Sequence, residues 1–164
     1  MAVVYLGLGS NTAPEAHLKI AIDWLQAEFS ELVLSPAYRS TSVGFEGDDF
    51  INLVARIETE LSPLSLKQRL TAFEDSNGRD RSTPRFSDRV IDIDILLYEQ
   101  TISDDPKLIL PREEILYYAH VLRPLAELVP ELMHPRLGQT MREIWQAFDG
   151  NRSYLSPVEI TGSK

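Results

Sequence analysis

The chain contains no cysteine among its 164 residues. Disulfides and thiolate metal centres are therefore excluded, and a reducing compartment is compatible with the composition. Cations are scarce: 16 Lys and Arg against 25 Asp and Glu leave a formal charge of -9. That balance argues against a nucleic-acid partner, which needs clustered Lys and Arg to neutralise phosphates, but it allows a small anion held by a local basic patch. The sequence lacks a long apolar run, and M-A-V-V-Y-L-G-L-G enters a strand pattern without a basic leader. Neither a signal peptide nor a membrane partner is expected, and the cytoplasm is the default location. N-R-S at 151–153 matches a glycosylation sequon that, without a secretion signal, reads as chance. A P-loop G-x-x-x-x-G-K-[ST] and a nucleophile G-x-S-x-G are both missing, which removes two common routes to phosphate binding and covalent hydrolysis. The three histidines, His17, His120 and His134, are dispersed and form no metal-spaced set.

What is present has ordinary globular composition, with 43% hydrophobic and 25% charged residues. The length fits one domain, 1–164, with a loosely held tail from about 150. Strand pattern occupies 2–8, and helical spacing follows through Leu18, Ala21, Ile22, Leu25 and Phe29. L-V-L-S-P-A-Y-R-S predicts a second strand, with Pro36 marking an edge or bulge. F-I-N-L-V-A-R-I-E-T-E from Phe50 alternates as a third strand, and Ser62 with Pro63 opens a second helix. Residues 76–88 read as a long polar loop before a fourth strand, and short helices are expected within 112–128. The order strand, helix, strand, strand, helix, strand predicts an α+β fold: a ferredoxin-like sandwich, an antiparallel sheet with helices packed on its faces.

The fourth strand, R-V-I-D-I-D-I-L-L-Y, carries the most pointed feature. Alternation puts Ile91, Ile93 and Ile95 on one face and Asp92 and Asp94 on the other, the acids ~7 Å apart along the strand, where they repel. The loop before it, N-G-R-D-R-S-T-P-R-F-S-D-R, holds Arg79, Arg81, Arg85 and Arg89 within eleven positions. Arginine's planar fork suits phosphate oxygens. A polyphosphate with magnesium would lie naturally between the two sets, the carboxylates on the cation and the arginines on the phosphates. A solvated strand face beside a solvated or partner-binding loop is the plainer alternative.

Other positions support two readings each. Gly7 and Gly9 in G-L-G-S-N-T are either a tight strand exit or a point of ligand contact. Phe50 and Asn52 share one face of the third strand, where a ring and an amide would suit a flat hydrogen-bonding ligand, although a core Phe is the simpler account. Glu74, near the end of the second helix, reads as a solvated helical acid.

Taken together, these residues resemble the 6-hydroxymethyl-7,8-dihydropterin pyrophosphokinase family of folate synthesis. The matching stretches are G-S-N at 9–11, Y-R-S-T at 38–41, D-F-I-N-L-V-A-R-I-E-T from Asp49, E-x-x-x-G-R-D-R from Glu74, F-S-D-R-V-I-D-I-D-I-L-L-Y from Phe86 and P-L-A-E-L-V-P at 124–130. They run from about residue 3 to 135. The family transfers pyrophosphate from MgATP to the hydroxymethyl oxygen of the pterin and releases AMP. The resemblance implies that Asp92 and Asp94 bind two Mg2+ ions, with ATP as co-substrate. It implies that Arg79, Arg81 and Arg89 act at the phosphates during catalysis. Glu74, Arg81, Phe86, Arg89, Ile95 and Arg112 would line the nucleotide, and Val43, Gly44, Phe50, Asn52 and His120 the pterin. Residues 44–49 and 76–88 would be the lids, and the protein a monomer whose partners are its small-molecule substrates.

The chain departs from the family pattern at four places. Arg112 stands where a His commonly follows Leu-Pro, and Phe86-Ser87-Asp88 replaces a Trp-Gly-Pro. His120 takes a position usually held by Phe, and Tyr118 one usually held by Arg. Two alternatives stay open on the sequence: a divergent paralogue using the same magnesium–nucleotide site on another acceptor, and a noncatalytic nucleotide-binding module.

Overall fold

The structure is a computed structural model that describes residues 1–40, 49–77, 90–152 and 154–160. Its elements in chain order are β1 (Ala2–Ser10), α1 (Pro14–Glu28), β2 (Ser30–Leu34), β3 (Ala37–Ser40), β4 (Phe50–Thr59), α2 (Pro63–Ser76), β5 (Asp92–Tyr98), α3 (Glu114–Tyr117), α4 (Ala119–Leu128), α5 (Met141–Ala147) and β6 (Ser156–Val158). The sheet runs β5-β1-β4-β3-β6, with β2 also paired to β4, and every pairing is antiparallel. With β2 and β3 taken as one interrupted strand, this is the ferredoxin-like order expected from the sequence. The interruption falls at Ser35-Pro36, because proline has no N–H to give the ladder. Among the described residues no helix is long and apolar enough to cross a membrane.

Alternation divides the sheet into two faces. Val4, Leu6 and Leu8 of β1, Ile51, Leu53, Ala55 and Ile57 of β4, and Ile93 and Ile95 of β5 share one core with α1 and α2. Each fully buried Leu or Ile there contributes on the order of 1.5–3 kcal/mol. Trp24 of α1 stacks on Phe73 of α2 at 4.3 Å and 19°, which ties the two helices together over that core. The α2 start is built as predicted: Ser62 Oγ accepts the Ser65 N–H at 3.3 Å, and Pro63 occupies the first turn.

Among the described residues the opposite face is covered only in part. Tyr5, Val54, Leu96 and Leu97 pack there against Ile115 of α3, Leu122 and Leu125 of α4, and Met141 and Ile144 of α5. Leu96 and Leu97 reach this face together because the β1–β5 register shifts between Tyr5 and Leu6: Tyr5 pairs with Leu97, but Leu6 pairs with Ile95. The extra residue makes a β-bulge, so two consecutive side chains serve the same layer.

Two expectations need correction. Residues from about 150 were expected to be loosely held, but β6 pairs Ala37 with Val158 and Arg39 with Ser156, while Leu155 and Ile160 are buried. The apolar pair supplies the anchor, and Pro157 is tolerated because β6 is an edge strand. Arg152 adds to it, donating to the Trp145 carbonyl at 2.7 Å and lying 4.4 Å over the Trp145 ring. Second, Gly7 and Gly9 do not mark a strand exit. Strand β1 continues through Ser10, and both glycines are paired on each side.

Candidate active site

The part of the second face that no described helix covers is termed the trough. Two register lines cross its floor: Asp92–Gly9–Asn52–Tyr38 and Asp94–Gly7–Val54. The acids on β5 and the amide on β4 are thus separated by strand positions that carry no side chain. A Cβ on Gly9 would lie 2.6 Å from Asn52 Nδ2, and one on Gly7 would lie 3.3 Å from a methyl of Leu96. Glycine at 9 is what lets the Asn52 side chain lie across β1 toward Asp92. Among the described residues the Asn52 Oδ1 is buried without a hydrogen-bond partner, a costly state that a donor reaching it would relieve. Phe50, one register step away on the same face, is half-buried.

The β1 and β5 ends of this floor are locked together. Ser10 is fully buried, and its hydroxyl donates to the Val90 carbonyl at 2.5 Å, so the G-S-N turn fixes the entry into β5. On the other side of β5, Glu74 is buried and accepts the Ile93 N–H at 2.7 Å. The expectation of a solvated helical acid is therefore overturned, since α2 delivers this carboxylate to an edge-strand N–H that the sheet leaves unpaired. Ile95 has 3% of its surface exposed and packs in the core under α1 and α2, on the face away from the acids. Only its backbone, at the sheet edge, can meet a ligand.

Asp94 bears the electrostatic strain of the trough. Burial first, then the charge of Asp92, push its carboxyl up to about 7; Arg112 opposes the shift, while Glu74 and Glu114 add to it. The side chain nevertheless keeps 35% of its surface accessible, so the group is hemmed in by protein but open toward the trough. Arg112 arrives after the Leu110–Pro111 step, donates its N–H to the Leu96 carbonyl at 2.9 Å, and reaches Asp94 at 3.7 Å and Glu114 at 3.0 Å. Burial disfavours its charge, but Asp94, Glu114 and Asp92 outweigh that and hold the guanidinium above its ordinary value. One cation thus shares three acids.

The far wall comes from α4. His120 stacks with Tyr118 at 5.2 Å and 25°, and burial lowers its imidazole to about 4, so it is neutral at physiological pH. Arg123 lies 4.5 Å over the Tyr38 ring, and the Tyr38 hydroxyl bonds the Glu127 carboxylate. His134 is buried elsewhere and accepts the N–H groups of Arg136 and Leu137, a turn-forming role.

Of the residues singled out from sequence, Asp92, Asp94, Arg112, Phe50, Asn52 and His120 belong to this trough and its walls, Glu74 and Ile95 back it from behind β5, and Val43, Gly44, Arg79, Arg81, Phe86 and Arg89 lie outside the described residues, as do nearly all of the two expected lids. Sequence reasoning gave no role to Glu114, two residues from Arg112, or to Tyr38, quoted only within Y-R-S-T and brought beside Asn52 by the β3–β4 pairing.

The two carboxylates suit a hard divalent cation: they present oxygen donors on one face, and their mutual repulsion is relieved by a positive charge. Among the described residues no group of three or more His, Asp or Glu side chains converges on a metal position.

The fold and trough define an α+β sandwich of ferredoxin-like order whose sheet face, among the described residues, holds the polar groups. The chain matches the family model described as 7,8-dihydro-6-hydroxymethylpterin-pyrophosphokinase over residues 5–130, and it belongs to that family. It is 38% identical over 136 residues to a Pseudomonas aeruginosa protein named 2-amino-4-hydroxy-6-hydroxymethyldihydropteridine pyrophosphokinase, covering 80% of this chain and 83% of the relative. A Methylorubrum extorquens protein of the same name is 38% identical over 153 residues, covering 91% and 95%. Among solved structures, the wild-type Plasmodium falciparum HPPK-DHPS with SDX-DHP superposes with a TM-score of 0.71 at 14% identity. It covers 96% of this chain, which spans only 47% of that longer one.

Proposed function

We propose that the trough is where this chain transfers pyrophosphate from ATP to the hydroxymethyl group of hydroxymethyldihydropterin, the reaction of its family in folate biosynthesis. In that reaction the hydroxymethyl oxygen bonds to the β-phosphorus of ATP, the bond from that phosphorus to the α-phosphate bridging oxygen breaks, the hydroxyl proton is lost, and AMP leaves. Asp92 and Asp94 would hold Mg2+, two ions by the family's pattern, which would supply neutralisation of the phosphate charge. The observation that carries this reading is the register line itself: an acid pair and an orphaned amide oxygen face one another across a glycine-floored strand.

The chain's residues divide the work as follows. Asn52 pairs with the pterin through its free Oδ1, and Phe50 and His120 offer ring surfaces beside it. Arg112, held by Asp94 and Glu114 at the edge of the acid pair, would offer its guanidinium to a phosphate oxygen of the nucleotide. Arg79, Arg81 and Arg89, with Phe86, contact the triphosphate and nucleotide, and Val43 and Gly44 contact the pterin through their backbone. Glu74 keeps β5 in register, and the Ile95 backbone borders the nucleotide base. Positioning and charge neutralisation carry the rate, since this transfer asks for little covalent help from protein.

The test is AMP release from ATP and Mg2+ with and without the reduced pterin. Pterin-dependent AMP is expected, abolished in Asp94→Ala while circular dichroism stays unchanged. AMP release indifferent to the pterin, or an Asp94→Ala rate near that of the parent, would overturn the reading.

A further inference from the structure

Tyr154 belongs to none of the motifs quoted above, yet its hydroxyl sits against the start of α4. The first N–H groups of a helix have no partners inside it, and Tyr118 at the N-cap offers no side-chain acceptor. The Tyr154 oxygen takes that place. It accepts the His120 N–H at 3.2 Å. A phenol oxygen has two lone pairs and one proton. With the His120 N–H on one lone pair, the phenol keeps its proton to donate, and His120 Nδ1 lies 3.0 Å away.

A neutral imidazole has one donor nitrogen and one acceptor, and the partner of one fixes the role of the other. When Nδ1 receives the phenol proton, the ring hydrogen sits on Nε2. The ring is held from two further sides, by Tyr118 stacked against it and by the edge of Tyr154 at 6.0 Å and 76°. Tyr154 is itself anchored by its neighbour Leu155, buried with Tyr38 and Ala119, and by β6 just beyond.

We propose that Tyr154 is a positioning residue: it holds His120 as the Nε2–H tautomer, so that the imidazole presents a single hydrogen-bond donor to a ring-nitrogen or carbonyl acceptor of the reduced pterin. This rests on the assignment of His120 to the substrate pocket. It gives the histidine a task beyond the stacking that a phenylalanine would provide, and it recruits the C-terminal segment to substrate selection.

The experiment uses the full chain and Tyr154→Phe, which removes the hydroxyl and keeps the ring. Long-range 15N–1H spectra of the unliganded protein should show His120 protonated at Nε2 in the parent and a mixture of tautomers in the variant. KM for the reduced pterin should rise about five- to ten-fold, the effect of losing one neutral hydrogen bond, while KM for ATP stays within two-fold. In a His120→Phe background, Tyr154→Phe should leave the pterin KM unchanged. An Nδ1–H tautomer in the parent would overturn the orientation. A pterin KM that rises equally in the His120→Phe background would reduce Tyr154 to a helix cap and overturn the positioning role. If His120→Phe alone leaves the pterin KM unmoved, the placement of His120 in the pocket fails, and the spectra tell that failure apart from a wrong tautomer.

Discussion

Replacing Asp94 with Asn should make the metal-free protein more stable and the enzyme inactive. Burial and the neighbouring Asp92 charge raise the Asp94 carboxyl from 3.8 to about 7, so the folded state binds its proton more tightly than the unfolded chain does. A shift of roughly three units, at about 1.4 kcal/mol each, sets a ceiling of about 4 kcal/mol on the cost of ionising the group in the fold. The side chain keeps 35% of its surface accessible, and solvent screening there brings the expected gain on removing the charge to about 1–2 kcal/mol. The sign follows from the direction of the shift. The cost is fully present above pH 7, shrinks as the pH falls through the folded value, and is gone below the unfolded value of 3.8.

Thermal unfolding in EDTA at pH 8 should therefore show the variant melting higher than the parent by about 3–6 °C, with the gap closing toward pH 4. Millimolar Mg2+ with a nonhydrolysable ATP analogue should raise the melting point of the parent through linkage and leave that of the variant nearly unmoved. The reasoning is refuted if Asp94→Asn lowers the melting point at pH 8 without metal, or if nucleotide and magnesium stabilise both proteins equally.

Gly9→Ala should raise the pterin KM about ten-fold with the fold intact, because the new methyl displaces the Asn52 amide; an unchanged KM would show that Asn52 does not read the substrate from this position. Glu74→Ala should cost about 1–3 kcal/mol in urea unfolding by stranding the Ile93 N–H, whereas Glu74→Gln, which keeps an acceptor oxygen, should cost less; equal losses would discount that hydrogen bond. Leu155→Ala should destabilise the fold by about 2–3 kcal/mol, and a loss under 0.5 kcal/mol would mean that the C-terminal segment is not anchored there.

Strand periodicity alone placed Asp92, Asp94, Phe50 and Asn52 on their faces, since an alternation of two leaves one choice once the isoleucines are assigned to the core. Pro36 announced the break between β2 and β3. The start of α5 was also legible, though the sequence reading passed over it: in T-M-R-E, Thr140 and Glu143 form a reciprocal capping box. Other features had no local signal. S-P-V is too short and too proline-bearing to read as a strand, and β6 exists because β3 offers it an edge. The burial of Glu74 depends on where α2 lands against β5, and the Tyr154–His120 bond joins residues 34 positions apart. Gly9 was visible as a glycine but not as a floor, because its meaning comes from what stands across the ladder on either side.

The register shift in β5 lets one short segment answer to two masters. Upstream of it, the carboxylates keep step with the glycines of β1; downstream, Leu96 and Leu97 are keyed to the helices that follow. Inserting or deleting a single residue between Asp94 and Tyr98 would set these two phases against each other, turning either the acids or the leucines to the wrong side. A change of length in the turn at 99–107, by contrast, falls past both and can be absorbed there, so variation in chain length should accumulate at that turn and spare the five residues before it.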